Sequence, residues 1–230
     1  MRLETARVTN YKSIEDTGTF RLDPLTCLVG KNESGKTAVL RALHRLNPDD
    51  PDEDTFDVET EYPRHRLFDY KPRHEAEPDT VITTGWRLDN VETKWIEEQF
   101  GAGVLTGDSV TIKKGYDPKT LYTVPVDELA AVQNLIDGSG LDDVDKKQLA
   151  GINDAKTLAE HVAALDESTR RDAFSTSLTE RLGGRTVKQV IISFLASRLP
   201  TFVYYANYHA LPGQMSLEQF VTLEQQQQLA

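Results

Sequence analysis

Residues 30–37 read Gly-Lys-Asn-Glu-Ser-Gly-Lys-Thr and satisfy the spacing G-x-x-x-x-G-K-[ST]. Each residue type has a physical reason to stand there if the cargo is a polyphosphate. A triphosphate concentrates several negative charges in a small volume, and successive backbone N–H groups curled into a nest surround such a group well. Gly30 and Gly35 permit the curl and a close backbone approach. Asn32 and Ser34 complete the cradle, and Lys31, Glu33 and Ala38 belong to the same binding segment. Lys36 supplies the point charge for the β- and γ-phosphates and is the catalytic candidate; the Thr37 hydroxyl is the candidate ligand for Mg²⁺. ATP and Mg²⁺ are the expected cofactors.

Such a loop must be held between a strand and a helix whose N-terminus faces the phosphates. Residues 25–30 (LTCLVG) form an apolar run of the buried-strand kind. Downstream, Val39, Ala42, Leu43 and Leu46 mark one face of a helix that Asn47-Pro48 stops. Residues 1–9 alternate as a strand, 10–16 break the chain, and 19–23 form a second short strand. Residues 80–89 predict a further strand, and 90–100 a helix capped by Asp89 or Asn90 and ended by Gly101. An Asp-Pro turn within 109–126 joins two strands as a hairpin. From 127 to about 198, four segments with three-to-four apolar spacing predict helices punctuated by glycines, followed by a β-rich run at 200–208 and a helical piece at 216–230. Residues 47–80 are polar, charged and proline-rich, and read as a long loop or insertion.

Two pieces, Asn10-Tyr11-Lys12-Ser13 and the loop interior Asn32-Glu33-Ser34, resemble the N-terminal end of SMC/RecF-type ATPases of the ABC superclass. Those chains begin with a strand, an N-[FY]-[KR]-S turn, a second strand and a G-x-N-x-S-G-K-[ST] loop. Glu33 replaces the glycine common after the Asn, as in the branch that includes the OLD (overcoming-lysogenisation-defect) family of ATP-dependent nucleases. The resemblance is strong over 1–46 and is an order of elements over 56–220, including Glu61-Tyr62-Pro63-Arg64. It implies an α/β P-loop fold of the ABC/SMC type, with antiparallel strands beside the nucleotide sheet (1–126), an inserted helical subdomain (127–198) and a return to the ATPase lobe (199–230). It also places Lys12 and Ser13 near the nucleotide, and Gln214 in the Q-loop region as a sensor of the γ-phosphate through Mg²⁺ or water. ATP then glues two heads together, so a second copy of the chain and DNA are the implied partners.

Hydrolysis further requires an apolar strand ending in Asp, usually followed by Glu. The string VQNLID, ending at Asp137, lies in a helical pattern, and VIISFLAS ends without an acid. LPGQM (211–215) only mimics a signature loop. The chain therefore reads as the first part of a longer protein that binds nucleotide without turning it over, with a nuclease module expected beyond it in OLD-type members. A different P-loop class, or a regulatory nucleotide switch, remains an alternative.

The 230 residues are 38% hydrophobic and 27% charged, enough for a packed core. A net charge of −11 argues against a general nucleic-acid coat. The charge is uneven, however: eight acids and no base at 49–61 precede four bases and two histidines at 62–74. The acidic run lacks EF-hand spacing and reads as a solvated loop, and the basic stretch as a surface loop compensating it. His161 and His209 have no zinc-ligand spacing, and Tyr204, Tyr205 and Tyr208 read as strand-core and interface residues. One cysteine, no secretory leader and no long apolar run suggest a cytoplasmic protein without a membrane segment.

Overall fold

A computed structural model describes residues 1–205. Its centre is an antiparallel sheet of β1 (Arg2–Tyr11), β2 (Ile14–Asp16), β3 (Phe20–Arg21), β4 (Thr80–Arg87), β5 (Ser109–Gly115) and β6 (Leu121–Thr123). The order is β2-β1-β4-β5-β6, and β3 takes the remainder of the β1 edge that β2 starts. Alternation sorts the faces. Ala6, Val8, Ile82, Trp86, Val110 and Ile112 are buried, whereas Arg7, Thr9, Thr83 and Lys113 line a shallow polar surface. Helix α1 (Lys36–His44) lies against β1 and β4 and contributes Ala38, Val39 and Ala42 to the core. The 109–126 hairpin forms as expected, with Ile112 opposite Tyr122. One lysine sits on the buried face of β5: Lys114 is neutralised by an ion pair with Asp54 and donates a 2.7 Å hydrogen bond to the Arg45 carbonyl.

The segment 47–80 is not a loop. It contains a 3₁₀ turn (Pro51–Glu53), α2 (Val58–Glu61) and α3 (Arg64–Tyr70), and it buries Phe56, Tyr62 and Tyr70. Tyr62 and Tyr70 stack with centroids 4.0 Å apart, Tyr116 packs beside both, and Phe56 meets Tyr11 edge-on at 5.4 Å. Asp79 organises the rim, accepting from the Tyr62 hydroxyl at 2.8 Å and from Arg73 at 3.0 Å. Burial and the Asp79 carboxylate together push the Tyr62 phenol up to about 12. Three widely spaced aromatics supply the buried surface that average composition conceals. The acidic run is likewise more than a solvated loop, because Asp54 and Glu61 pair with Lys114 and Arg45.

Beyond the sheet, α4 (Asn90–Phe100) begins with a capping box made by Asp89 and Glu92 and ends at Gly101. The expected helical stretch holds α5 (Glu128–Asp137), α6 (Asp143–Gln148), α7 (Ala155–Ala164), α8 (Thr169–Leu182) and α9 (Val187–Ser197). Helices α5, α7 and α9 pack together, α4 joins them through α5 and α9, and Leu135, Leu158, Val162, Leu178 and Ile191 are buried. Asp137 ends a helix, in agreement with its exclusion as an acidic strand terminus. Trp95 of α4 stacks on Phe194 of α9 at 3.8 Å, and Arg198 donates to the buried Glu92 at 2.7 Å.

Two expected strands are absent among the described residues. Residues 25–30 have no ladder partner among the described residues: β2 and β3 occupy one edge of β1 and β4 the other. Leu25 and Val29 are consequently 92% and 90% exposed. In the 200–208 run, the described part makes only an isolated parallel bridge, Phe202 to Pro48. Tyr204 is half-buried and Tyr205 exposed, so neither is a strand-core residue. Apolar and β-branched residues favour a strand, yet a strand exists only where another backbone accepts its hydrogen bonds. Tyr208, His209, the LPGQM string, Gln214 and the expected terminal helix lie outside the described residues.

If residues 47–80 are part of the core, Tyr62→Ala lowers unfolding stability by about 3 kcal/mol in urea titration, as for other large buried aromatics. A surface loop would show a change within about 0.5 kcal/mol.

Candidate functional site

The loop at 30–37 turns back on itself before α1. Glu33 has φ 67° and Gly35, the residue capping α1, has φ 87°. The Ser34 amide donates to the Lys31 carbonyl at 3.3 Å. Lys36 folds over the turn: its ammonium donates to the carbonyls of Gly30 at 2.8 Å and Lys31 at 2.6 Å, and to Ser34 Oγ at 3.3 Å. The same ammonium that would meet phosphate oxygens therefore closes the loop through carbonyl oxygens.

Only glycine suits position 35. A Cβ there would lie 3.0 Å from Ile14 Cγ1, in a backbone conformation that side chains strain. That contact brings the hairpin turn between β1 and β2, carrying Lys12 and Ser13, against the loop. Lys12 itself has φ 55°, and its amide donates to the Glu61 carbonyl at 2.6 Å. The result is a cleft of about 680 Å³ lined by Lys12, Ser13, Asn32, Glu33, Ser34, Gly35, Lys36, Thr37, Ala38 and Arg41. Gly30 and Lys31 are outside this lining; their carbonyls instead hold Lys36.

Below the cleft is Glu61, only 6% exposed. Its carboxylate pairs with Arg45 of α1, accepts from the Tyr11 hydroxyl at 3.2 Å and the Asp57 amide at 3.1 Å, and lies 3.7 Å from the Lys12 ammonium. Burial lowers the Lys12 pKa, and the positive charge of Arg41 lowers it further against the opposing pull of Glu61. Burial is also the main cause of the raised Tyr11 pKa, so its phenol remains a donor. Sequence reading missed Arg41, Arg45 and Glu61 in this arrangement. Arg41 had a local signal, standing four residues after Thr37 and hence on the same helical face. Glu61 stood in the Glu61-Tyr62-Pro63-Arg64 string of the resemblance, but nothing local pointed to its pairing, because its partners are distant in the chain.

The residues suit a magnesium nucleotide. Mg²⁺ usually keeps several waters and takes one or two protein oxygens together with substrate phosphates. Thr37 lines the cleft at the start of α1, and among the described residues no cluster of three His, Cys, Asp or Glu could hold a metal by itself. Thr37 would ligate an ion brought with the phosphates, and the ion would neutralise phosphate charge.

A glycine-bent loop, a lysine folded over it and a helix N-terminus define a P-loop nucleotide-binding domain. A family model described as the AAA ATPase domain matches residues 1–171, and the chain belongs to that family of P-loop ATPases. No curated protein matches the sequence. Family membership implies nucleotide binding, typically with Mg²⁺. Among the described residues, no helix is long and apolar enough to cross a membrane.

Glu61→Gln preserves volume but leaves Arg45 without its carboxylate. It lowers stability by about 2 kcal/mol in urea titration, at the low side for breaking a buried pair because Arg45 is partly exposed.

Proposed function

We propose that this chain is the ATP-binding N-terminal part of a RecF/SMC-like or OLD-like ATPase that couples nucleotide binding and hydrolysis to DNA processing. One observation carries the reading: Lys12 and Ser13 of the hairpin turn and residues 32–37 of the loop, some twenty residues apart, line one cleft, with Ile14 against Gly35. Backbone N–H groups and the α1 N-terminus bind the phosphate chain, Lys36 neutralises its β- and γ-charge, and Thr37 holds Mg²⁺. Gln214 is proposed as the γ-phosphate sensor. ATP joins two such heads, and closure of the pair is what DNA responds to.

The cleft contains the binding half of the chemistry. Glu33 is the one carboxylate residue lining it among the described residues, and Glu61 beneath is held by Arg45 and Tyr11. Neither stands at the end of an apolar strand, where an Mg²⁺-ordering Asp and a water-polarising Glu are needed. A strand bearing that pair and lying beside residues 25–30 would also cover Leu25 and Val29 and pair the open backbone. A nucleotide-switch module without a nuclease is the second reading, favoured by the same absence of a hydrolytic acid in the described cleft.

Residues 1–230 bind a fluorescent ATP analogue with Mg²⁺ and release no phosphate. Lys36→Ala weakens binding by about ten- to a hundredfold, the worth of a hydrogen bond to a charged group. Anisotropy titration and a phosphate-release assay check both statements. Unchanged affinity in Lys36→Ala sinks the binding site, and Lys36-dependent turnover by residues 1–230 sinks the division of labour.

A further inference from the structure

The cleft carries more positive charge than its loop requires. Lys12, Lys36 and Arg41 line it, against the single carboxylate of Glu33. Lys12 shares Glu61 with Arg45, and Lys36 is bonded to loop oxygens. Arg41 makes no ion pair with a carboxylate among the described residues. Its guanidinium instead lies over the ring of Tyr204, 5.7 Å from the centroid.

Tyr204 is well placed to steady that side chain. The strap at 199–205 returns from α9 to the end of α1 and is fastened there by side-chain and backbone hydrogen bonds. Asn47 Nδ2 donates to the Leu199 carbonyl at 3.0 Å, the Phe202 amide donates to Asn47 O at 2.8 Å, and the Asp49 amide donates to Phe202 O at 3.2 Å. Phe202 also meets Trp86 of the sheet edge-on. The Tyr204 ring thus reaches Arg41 from a fixed support, with the His44 ring tilted beside it at 6.1 Å. A cation on an aromatic face keeps its charge and its outward N–H groups. Arg41 is consequently a preorganised donor at the cleft wall, one helical turn beyond Thr37.

We propose that Arg41, oriented by Tyr204, binds the phosphate chain of the nucleotide and, with Lys12, makes the cleft prefer a nucleoside triphosphate to a diphosphate. This rests on the reading of the cleft as a nucleotide site. The added phosphate brings extra negative charge into a cleft whose lining residues carry a surplus of positive charge. Like-charge repulsion between Arg41 and Lys12 is relieved when an anion enters between them, and more so by the more highly charged anion. Tyr204 is a positioning residue, and its strap links the cleft to α9.

The test measures dissociation constants of residues 1–230 for Mg-ATP and Mg-ADP by calorimetry at two salt concentrations. Arg41→Ala weakens ATP about tenfold and ADP by less than threefold, and reduces the salt dependence of ATP binding. Tyr204→Ala shifts the ATP-to-ADP ratio in the same direction, whereas Tyr204→Phe, which keeps the ring, stays within about twofold of wild type. Arg64→Ala, an exposed arginine outside the cleft lining, serves as the charge control. An unchanged ratio in Arg41→Ala, or equal losses for both nucleotides, overturns the proposal even when Lys36→Ala abolishes binding. Failure of the wild type to bind either nucleotide overturns the nucleotide-site reading itself, and this proposal with it.

Discussion

A buried carboxylate must be satisfied, and Glu61 is satisfied by groups from four directions. Arg45 comes from α1, Tyr11 from the end of β1, the Asp57 amide from the turn before α2, and Lys12 from the hairpin. The Glu61 carbonyl also receives the Lys12 amide. Losing a partner would leave an uncompensated charge in the interior, so the group acts as a clamp. It fixes the hairpin turn relative to α1, and hence the two walls of the cleft.

The sheet explains why that scaffold is one-sided. Its buried face packs on α1, while its outer face carries Arg7, Thr9, Thr83 and Lys113. Aromatic residues from 56–79 close the end where Tyr11 and Tyr116 emerge. Along residues 25–30 the loop's approach has no neighbouring strand among the described residues, and Leu25 and Val29 are exposed. A second groove there, about 670 Å³, is bordered by Leu40, Leu43, Phe202 and Tyr204. The nucleotide loop therefore stands between an antiparallel wall and an apolar flank that has no strand partner among the described residues.

Several features were legible in the sequence because their causes are local. Loop spacing, the α1 apolar stripe, the Asp89 cap, the 109–126 hairpin and helices α5, α7, α8 and α9 each depend on residues within a few positions of one another, whereas the short α6 carries no such apolar spacing. The resemblance puts Lys12 and Ser13 near the nucleotide; the structure sets them beside the phosphate loop, where Ile14 packs against Gly35. Residues 47–80 were misread because charge dominated their composition, while burial was decided by Phe56, Tyr62 and Tyr70 finding Tyr11 and Tyr116. Residues 25–30 were misread for the converse reason: an apolar run states a preference for burial and not whether a backbone partner is beside it.

By itself, then, the sequence determined a phosphate-shaped loop, its lysine and threonine, and the helices and hairpins that short-range propensity and capping dictate. Tertiary structure alone decided which charges surround that loop. Glu61 reaches Arg45 and Lys12, Arg41 meets Tyr204, and Asn47 holds Leu199 across 152 residues of chain. The physical reason is range: a helix period or a glycine turn is set by neighbours along the chain, but a buried charge or an aromatic face is stabilised by whatever the fold brings within a few ångströms.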